Sequence, residues 1–321
     1  MASLRSGGFI PPTNELYSYS ILRITAATAE GQQTVGSPDS RTLKHRVVVV
    51  TGASRGIGAA VAVRAAADGA AVALLAKTQM PNPKIAGTLA ETADAVQRAG
   101  GRALSLTCDV RDAAAVAAAV EAVADAFGGI DVVVNNAGAL DLRPTAQLPP
   151  KSLRRLLEVN VEGPFAVVQA ALPYLRRSGN AHVVNVSPPL NMDPRWVGAH
   201  VAHTVGKYAE SLLTLGWAEE FASVPIAVNS LWPATTIAST GMMVAMGEET
   251  VRAQARSPQI MAEAVHALVT RPAAACNGHF YTDEEILREE GRADLSEYLL
   301  AANEDDLTPN FYLPSAPVPT V

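Results

Sequence analysis

The sequence predicts an α/β fold with one parallel sheet that is doubly wound, so that helices cover both of its faces. Short β-branched apolar runs alternate with longer alanine-rich segments from about residue 45 to residue 290. The apolar runs show no period of two, as strands buried on both faces require. Several alanine-rich segments end at glycine, which is typical of helix ends. Strands that alternate with helices of this length indicate βαβ units and therefore a parallel sheet.

The predicted elements follow one another in this alternation and show no other internal repeat. The predicted strands are 46–51, 71–77, 103–110, 130–138, 181–187, 226–233 and 278–283. The predicted helices are 56–70, 87–101, 112–129, a pair within about 150–178, and about 199–222. We therefore expect a single domain over residues 45–290.

The two ends of the chain differ in composition from this domain. Residues 1–44 are rich in Ser, Thr, Gly and Pro, and we expect a flexible extension or an arm lying on a partner subunit. An organellar import sequence is the alternative, although Glu15 and Glu30 argue against it. Residues 291–321 are acidic and then proline-rich, and we expect a tail that packs on the domain.

Composition argues against several function classes. With 49% hydrophobic and 17% charged residues, the chain is typical of a packed globule. The net charge of −6 includes no basic block, so nucleic acid is not an expected partner. No apolar run approaches the roughly 18 residues of a membrane helix. Cys108 and Cys276 lack metal-binding spacing, and a reduced, cytoplasmic setting is expected.

A glycine-rich loop, TGASRGIG (51–58), follows the first predicted strand and opens the first predicted helix. Gly52 permits a tight turn, Gly56 lets the backbone approach a pyrophosphate, and Gly58 allows close packing of helix on strand. Phosphates would bind free N–H groups at the positive end of that helix. A strand before the loop and a helix after it are what a dinucleotide-binding loop requires, so a Rossmann-type sheet is predicted.

Two cations near this loop indicate which dinucleotide binds. Folds that bind NAD place an acid about 20 residues farther on, where it holds the ribose 2′-hydroxyl. Here the end of the second strand is LLAKT, which carries Lys77 and no acid, and Arg55 lies inside the glycine loop. Both cations can pair with a 2′-phosphate, so NADP(H) is the predicted cofactor. The alternative is that both are solvated surface charges.

These motifs resemble those of the short-chain dehydrogenase/reductase family. Beyond the glycine loop, the segment CDV places Asp109 where that family holds the adenine ring. The segment NNAG (135–138) follows the fourth strand and borders the cofactor in the family. Asn160 falls on the family's catalytic asparagine, and Lys207 falls on its active-site lysine.

More narrowly, the chain resembles the hydroxysteroid dehydrogenase-like 2 branch of the family from about residue 45 to residue 315. The resembling segments include AKTQMPNPKIAGTL, VNVSPPLNMDPRW, YAESLLTLGWAEEF, AVNSLWPATTI and FYTDEEILREEG. The sterol-carrier domain of some members is not expected here, because the sequence ends at Val321.

The resemblance implies NADP(H)-dependent oxidoreduction of a carbonyl/alcohol pair in a small, moderately apolar and lipid-like substrate. It also implies a homo-oligomer, either a dimer or a tetramer. It implies that the cofactor contacts Gly52, Ser54, Arg55, Gly56, Ile57, Gly58, Lys77, Asp109, Val110, Asn136, Ala137, Gly138, Lys207, Pro233 and Thr235.

The catalytic residues of the family are only partly retained. In the family, a tyrosine four residues before the lysine protonates the carbonyl oxygen, and the lysine binds the nicotinamide ribose and lowers the tyrosine pKa. His203 occupies the tyrosine position, while Lys207 and Asn160 remain. Ser187 is the candidate for the serine that polarises the carbonyl, but Pro188 takes the second place of the usual serine pair. Either Ser187 reaches in from one position earlier, or the carbonyl loses that donor.

The sequence is compatible with three roles for His203. The imidazole is the working acid of a reductase, it belongs to a cofactor-binding protein with non-redox chemistry or none, or it is a bystander while water supplies the proton. Imidazole is shorter than phenol, and a charged Lys207 would lower the pKa of the His203 imidazole. A neutral imidazole still polarises a carbonyl. Tyr208 follows Lys207 directly, so it points about 100° away from Lys207 on a helix and cannot substitute. His200 shares the face of His203, but no carboxylate or cysteine at ligand spacing accompanies them, so no metal is expected.

Overall fold

The computed structural model describes residues 41–78, 80 and 86–314, so most of the predicted N-terminal extension and the final residues of the predicted tail lie outside it. Seven strands form one sheet: β1 (Val47–Thr51), β2 (Ala71–Ala76), β3 (Arg102–Thr107), β4 (Val132–Asn135), β5 (Ala181–Asn185), β6 (Ile226–Trp232) and β7 (Phe280–Thr282). Their order in the sheet is β3-β2-β1-β4-β5-β6-β7. Every pairing is parallel.

Helices connect these strands and cover the sheet. They are α1 (Gly56–Ala67), α2 (Leu89–Arg98), α3 (Ala113–Phe127), α4 (Pro150–Leu157), α5 (Gly163–Leu175), α6 (Pro194–Ala199), α7 (Val201–Glu220), α8 (Thr240–Met246), α9 (Glu248–Arg252), α10 (Gln259–Val269) and α11 (Asp283–Glu289). In the described part of the chain, none is both long and apolar enough to cross a membrane.

Both faces of the sheet are buried. Val48 and Val50 of β1 face a core that includes side chains of α1, α2, α10 and α11. Val47 and Val49 face a second core, built with α3, α5 and the C-terminal half of α7. This two-sided burial explains the apolar runs without a period of two, and the predicted doubly wound fold is confirmed.

The topological switch of the sheet lies beside β1. The chain proceeds from β1 to β2 and β3 on one side and then returns to place β4 on the other side. The loops that follow β1 and β4 therefore separate, and a crevice opens at the carboxyl edge of the sheet. Ligands of open α/β sheets bind at such a crevice, which locates the candidate site.

Some boundaries differ from those predicted from the sequence. β4 ends at Asn135 instead of residue 138, because the backbone of Asn136 turns to bond the Thr51 hydroxyl. The predicted helix at about 199–222 is interrupted at His200, whose backbone (φ −143, ψ 60) separates α6 from α7. A π-helical turn, Glu158–Glu162, joins α4 to α5.

Candidate active site

The glycine loop after β1 is too tightly packed for side chains at two of its glycines. Gly52 has φ +66, and a Cβ there would lie 2.9 Å from the Ala137 Cα. A Cβ on Gly58 would lie 2.5 Å from the Asn136 Nδ2. These two glycines therefore keep the loop packed closely against the segment that follows β4, as the tight turn of a dinucleotide-binding loop requires.

Asn136 holds this loop through its side chain. Its Nδ2 donates to the Thr51 carbonyl at 2.8 Å, and the Thr51 hydroxyl accepts from the backbone N–H groups of Asn136 and Ala137 at 3.0 Å each. The predicted cofactor residues Asn136 and Ala137 thus fix the cradle itself. Ser54 is buried in the loop, Ile57 packs on the core, and Gly138 is exposed.

The two predicted cations lie in the loop after β1 and directly after β2. The Arg55 Nη2 donates to the Gly87 carbonyl at 2.8 Å, while its Nε is buried and unpaired within the described structure. Lys77 follows β2 and is exposed, and its charge contributes to the lowered pKa of Asp109. The principal cause of that lowered pKa is Arg111, whose Nη2 donates to the Asp109 carboxylate at 2.5 Å.

Asn160 lies on the π-helical turn and is fully buried. Its Oδ1 accepts from the Ala139 N–H at 2.8 Å, and its Nδ2 donates to the Ala139 carbonyl at 3.0 Å. These two bonds tie the segment after Gly138 to the α4–α5 helix pair. Val110 packs against Gly163, because a Cβ built on Gly163 would lie 2.9 Å from the Val110 Cγ2.

Lys207 is buried, and its ammonium lies between a strand end and a carboxylate. The Nζ donates to the Val186 carbonyl after β5 and to the Glu210 Oε2, each at 2.8 Å. It also lies 5.8 Å from the centre of the Trp232 ring. An ammonium has three donors, so one remains for a ligand in the crevice.

His203 lies one turn before Lys207 on the same face of α7 and is only 3% exposed. Its Nδ1 is buried and finds no hydrogen-bond partner among the described residues. Burial first, and the charge of Lys207 second, lower its pKa from 6.5 to about 3. The ring is therefore neutral at physiological pH.

Ser187 does not present its hydroxyl to the same place. It is fully buried, and its Oγ lies 2.5 Å from the Ser230 Oγ of β6. Ser230 in turn bonds the Thr214 hydroxyl on α7 at 2.9 Å, and Thr214 accepts from Asn185. The structure thus brings together Asn160, Lys207 and His203 and leaves Ser187 in a structural network between β5, β6 and α7.

The loop after β6 carries the predicted residues Pro233 and Thr235. The Thr235 hydroxyl is buried and lacks a partner among the residues that the structure describes. The Asp283 carboxylate accepts from the Ala234 N–H at 2.8 Å and so fixes the loop. Burial raises the pKa of Asp283 to about 7. An unpaired hydroxyl in a fixed loop is suited to receive a ligand.

The C-terminal segment, residues 295–314, binds back onto both loops of the site. The Asn310 N–H donates to the Ala234 carbonyl at 2.9 Å, and the Thr236 N–H donates to the Thr308 carbonyl at 2.8 Å. On the other loop, the Asn191 Nδ2 donates to the Tyr312 carbonyl at 3.0 Å. The segment thereby links the loop after β5 to the loop after β6.

Phe311 of this segment packs against rings of α6 and of the junction between α6 and α7. The Phe311 ring lies 5.6 Å from the His200 ring and 6.2 Å from the Trp196 ring. His200 is fixed by a 2.8 Å bond between its Nδ1 and the Leu142 carbonyl. Sequence reasoning missed Phe311 and Tyr312, and it also missed Glu210. Only Glu210 had a sequence indication, namely its spacing of three residues from Lys207.

Asp141 is a further missed residue. Its carboxylate raises the pKa of His203, against the larger lowering effects of burial and Lys207. Hydrogen bonds from Arg143 lower the pKa of Asp141 itself to about 2. No group of three or more potential ligands suited to a metal ion occurs within the described ranges.

Comparison with known proteins identifies the family. A model of the short chain dehydrogenases matches residues 46–250, which is more than half of the chain. Human hydroxysteroid dehydrogenase-like protein 2 is 42% identical over 280 residues, which cover 87% of this chain and 66% of the human protein. The chain therefore belongs to the short-chain dehydrogenase/reductase family, and its predicted resemblance to this branch is confirmed. It spans slightly less than two thirds of the human relative.

Solved structures agree with this assignment. A Xanthomonas campestris protein described as a dehydrogenase is 45% identical with a TM-score of 0.80, over 86% of this chain and all of that one. A metagenomic short-chain oxidoreductase in complex with NADP is 28% identical with a TM-score of 0.61, over 75% of this chain and 97% of that one.

Proposed function

We propose that this protein is an NADP(H)-dependent oxidoreductase that interconverts a carbonyl and an alcohol in a moderately apolar small molecule, with His203 in the position of the usual tyrosine. The main support is the grouping of His203, Lys207 and Asn160. The Asn160 Oδ1 and the Lys207 Nζ each lie 3.7 Å from a Cβ built on Gly138, and His203 lies one turn before Lys207 on α7.

The described residues fit a dinucleotide. Close packing leaves no room for a side chain at Gly52 or Gly58, and the unpaired Thr235 hydroxyl lies in the loop after β6. Lys207 would hold the nicotinamide ribose through its remaining donor. When bound, the reduced nicotinamide supplies a hydride to the substrate carbon.

NADP(H) is proposed over NAD(H) because two cations follow β1 and β2 and no acid follows β2 directly. Arg55 lies in the glycine loop, Lys77 follows β2 and is exposed, and the Arg55 Nε has no partner in the described part of the chain. Arginine and lysine beside a phosphate form strong charge-assisted hydrogen bonds. The NADP complex of the metagenomic relative agrees with this choice.

The Lys77→Asp variant tests the cofactor assignment. Replacing a cation by an anion beside the 2′-phosphate removes a charge-assisted bond and adds repulsion, so the NADPH dissociation constant should rise at least about tenfold. The NADH dissociation constant should stay constant or fall. Calorimetric titration measures both, and Lys151→Asp on the exposed surface of α4 is the matched control. An unchanged preference would refute the role of Lys77.

His203 acts in this proposal as a neutral hydrogen-bond donor. Because its pKa lies near 3, the ring carries no charge at neutral pH. We assign the Nε2 to the substrate, because the Nδ1 is buried. A neutral imidazole polarises the carbonyl oxygen, and solvent water then supplies the proton of the product alcohol. Ser187 contributes no donor in this mechanism and instead stabilises the strand ends.

We propose an apolar substrate because apolar side chains are exposed on the segments that follow β5 and β6. Met192 follows β5 and is exposed. Helix α8 follows β6 and exposes Val244 and Met246 at the same edge of the sheet. Apolar side chains exposed beside a crevice are typical of a surface that a ligand covers.

We also propose a homo-oligomer formed through an apolar strip on α4, α5 and α7. The strip consists of Leu153, Phe165, Val201, Val205, Leu212 and Leu215, all of them exposed. The four residues from α7 lie on the side of the helix opposite His203, so association would leave the crevice open. A strip of this kind commonly marks a protein–protein interface.

Mutation of this strip tests the assembly. Leu212 is 57% exposed on α7, and Leu212→Glu should convert a dimer or tetramer into a smaller species because a charge cannot be buried unpaired. Light scattering coupled to size-exclusion chromatography gives the mass. Val244→Glu on α8 is the control and should leave the mass unchanged. A monomeric wild type would contradict the proposal.

A panel of carbonyl compounds with NADPH tests the proposed reaction. Wild type should oxidise NADPH in the presence of at least one apolar carbonyl compound. The competing hypothesis is a cofactor-binding protein of the same family with non-redox chemistry, and the engagement of Ser187 with Ser230 favours it. If wild type is silent and His203→Tyr gains activity, the oxidoreductase proposal fails.

A further inference from the structure

Glu210 is a buried carboxylate that the proposed reaction does not use. It is fully buried on α7, seven residues after His203 and three after Lys207, so all three lie on one face of the helix. Its Oε2 accepts from the Lys207 Nζ at 2.8 Å. Its Oε1 is buried and has no partner among the described residues.

A buried carboxylate is unfavourable unless a cation compensates it. Burial raises the pKa of Glu210 to about 7, and Lys207 acts in the opposite direction. When Glu210 is ionised, its negative charge opposes the positive charge of the ammonium to which it is bonded. The Lys207 ammonium on α7 is therefore part of an ion pair and is not an isolated charge.

The ion pair weakens the effect of the Lys207 charge on the pKa of the side chain at position 203. In the family, the lysine lowers the tyrosine pKa through its charge, and a charge a few ångströms away typically shifts a pKa by about 1–3 units. A carboxylate bonded to the same ammonium cancels part of that field. A tyrosine at position 203 would then keep a high pKa, whereas a neutral imidazole donates a hydrogen bond without such activation.

We propose that Glu210 is a positioning residue that holds Lys207 and partly cancels its charge at position 203, so that this site suits a neutral histidine and not a tyrosine. This inference deepens the proposed function and rests on its placement of His203 beside the substrate. Lys207 then serves to bind the cofactor ribose, and its influence on the residue at position 203 is reduced.

The test is the pKa of a phenol placed at position 203. Ultraviolet difference titration against the wild-type protein isolates the tyrosine introduced by His203→Tyr from the seven native tyrosines. In His203→Tyr/Glu210→Gln, the phenol pKa should be lower by about one unit or more than in His203→Tyr alone, a tenfold change in its ionisation constant. Adding Lys207→Met should reverse the shift.

Other charged groups near position 203 are unchanged in this comparison. Asp141 is the charged group, and the imidazole of His200 is a further titratable neighbour; both act on residue 203 from outside the Lys207–Glu210 pair. Glu219→Gln, which makes the same chemical change at an exposed position on α7, is the matched control and should leave the phenol pKa unaltered. Equal phenol pKa values with and without Glu210 would overturn the proposal.

The test does not depend on a single variant or on enzyme activity. Gln retains the shape of Glu, and Glu210→Met provides a second uncharged variant if Glu210→Gln does not fold. The titration requires neither substrate nor cofactor. A protein that reduces no carbonyl would defeat the proposed function and leave this result standing, while an unshifted phenol would defeat the role of Glu210 in an active enzyme.

Discussion

Replacing His203 by alanine is expected to lower kcat at least about 100-fold, the usual contribution of a positioned acid–base or donor group. The NADPH dissociation constant should change less than about twofold, because Lys207 and the glycine loop remain intact. His203→Gln is the matched variant, since its side-chain amide retains an N–H donor and should recover part of the lost rate. Steady-state kinetics and NADPH fluorescence titration separate the two effects.

The pH dependence of kcat/KM in the wild type also tests the role of His203. Because burial and Lys207 lower the pKa of His203 to about 3, its protonation contributes no inflection to kcat/KM near 6.5. An acid limb with a midpoint near 6.5 that disappears in His203→Gln would contradict a neutral donor. Undiminished turnover in His203→Ala would contradict any catalytic role for this ring.

Truncating Tyr312 to alanine is expected to destabilise the domain by roughly 3–5 kcal/mol, as for other large aromatic residues in a core. The side chain is 1% exposed, and its ring lies 5.2–6.2 Å from the rings of Tyr208, Trp196, Trp232 and Phe311. Its position also fixes the Asn191 amide on the loop after β5. We therefore expect weaker substrate binding together with a lower midpoint of urea unfolding.

Tyr312→Phe is the control for this prediction. It removes only the contact between the Tyr312 hydroxyl and the Thr204 hydroxyl, 3.1 Å apart, and should cost about 1 kcal/mol. The difference between the two variants measures the packing of the ring. If both variants lose the same stability, or if neither does, the C-terminal segment does not stabilise the site as described.

The phosphate cradle could be predicted from the sequence because its determinants are local. The strand, the glycines and the helix follow one another within TGASRGIG and its flanks, so spacing alone predicted a tight turn at Gly52 and close packing at Gly58. The same holds for Lys207 and His203, which occupy neighbouring turns of one helix. Periodicity also predicted strands buried on both faces.

Contacts between distant parts of the chain could not be predicted in this way. The direction of the Ser187 hydroxyl depends on Ser230, which lies 43 residues farther along the chain. The contribution of Tyr312 depends on Thr204, at a separation of 108 residues. A period or a motif carries no information about such pairs, so the composition of the C-terminal segment gave no indication that it borders the site.

The ion pair between Lys207 and Glu210 could be predicted only in part from the sequence. The spacing of three residues makes contact on a helix possible, but an i,i+3 pair of opposite charge more often lies on a solvated face. Complete burial of Glu210 distinguishes the two situations, and burial depends on the packing of α7 against the sheet. The functional meaning of this carboxylate therefore emerges only from the tertiary structure.

The proposed function requires that hydride passes between NADP(H) and a carbonyl/alcohol substrate at His203. A single-turnover reaction with NADPH deuterated at the transferred position, followed by mass spectrometry of the product alcohol, detects this transfer. We predict one deuterium on the former carbonyl carbon with the wild type and at least about 100-fold slower transfer with His203→Ala. Stoichiometric NADPH binding without any transfer to a broad panel of carbonyl compounds would contradict the claim.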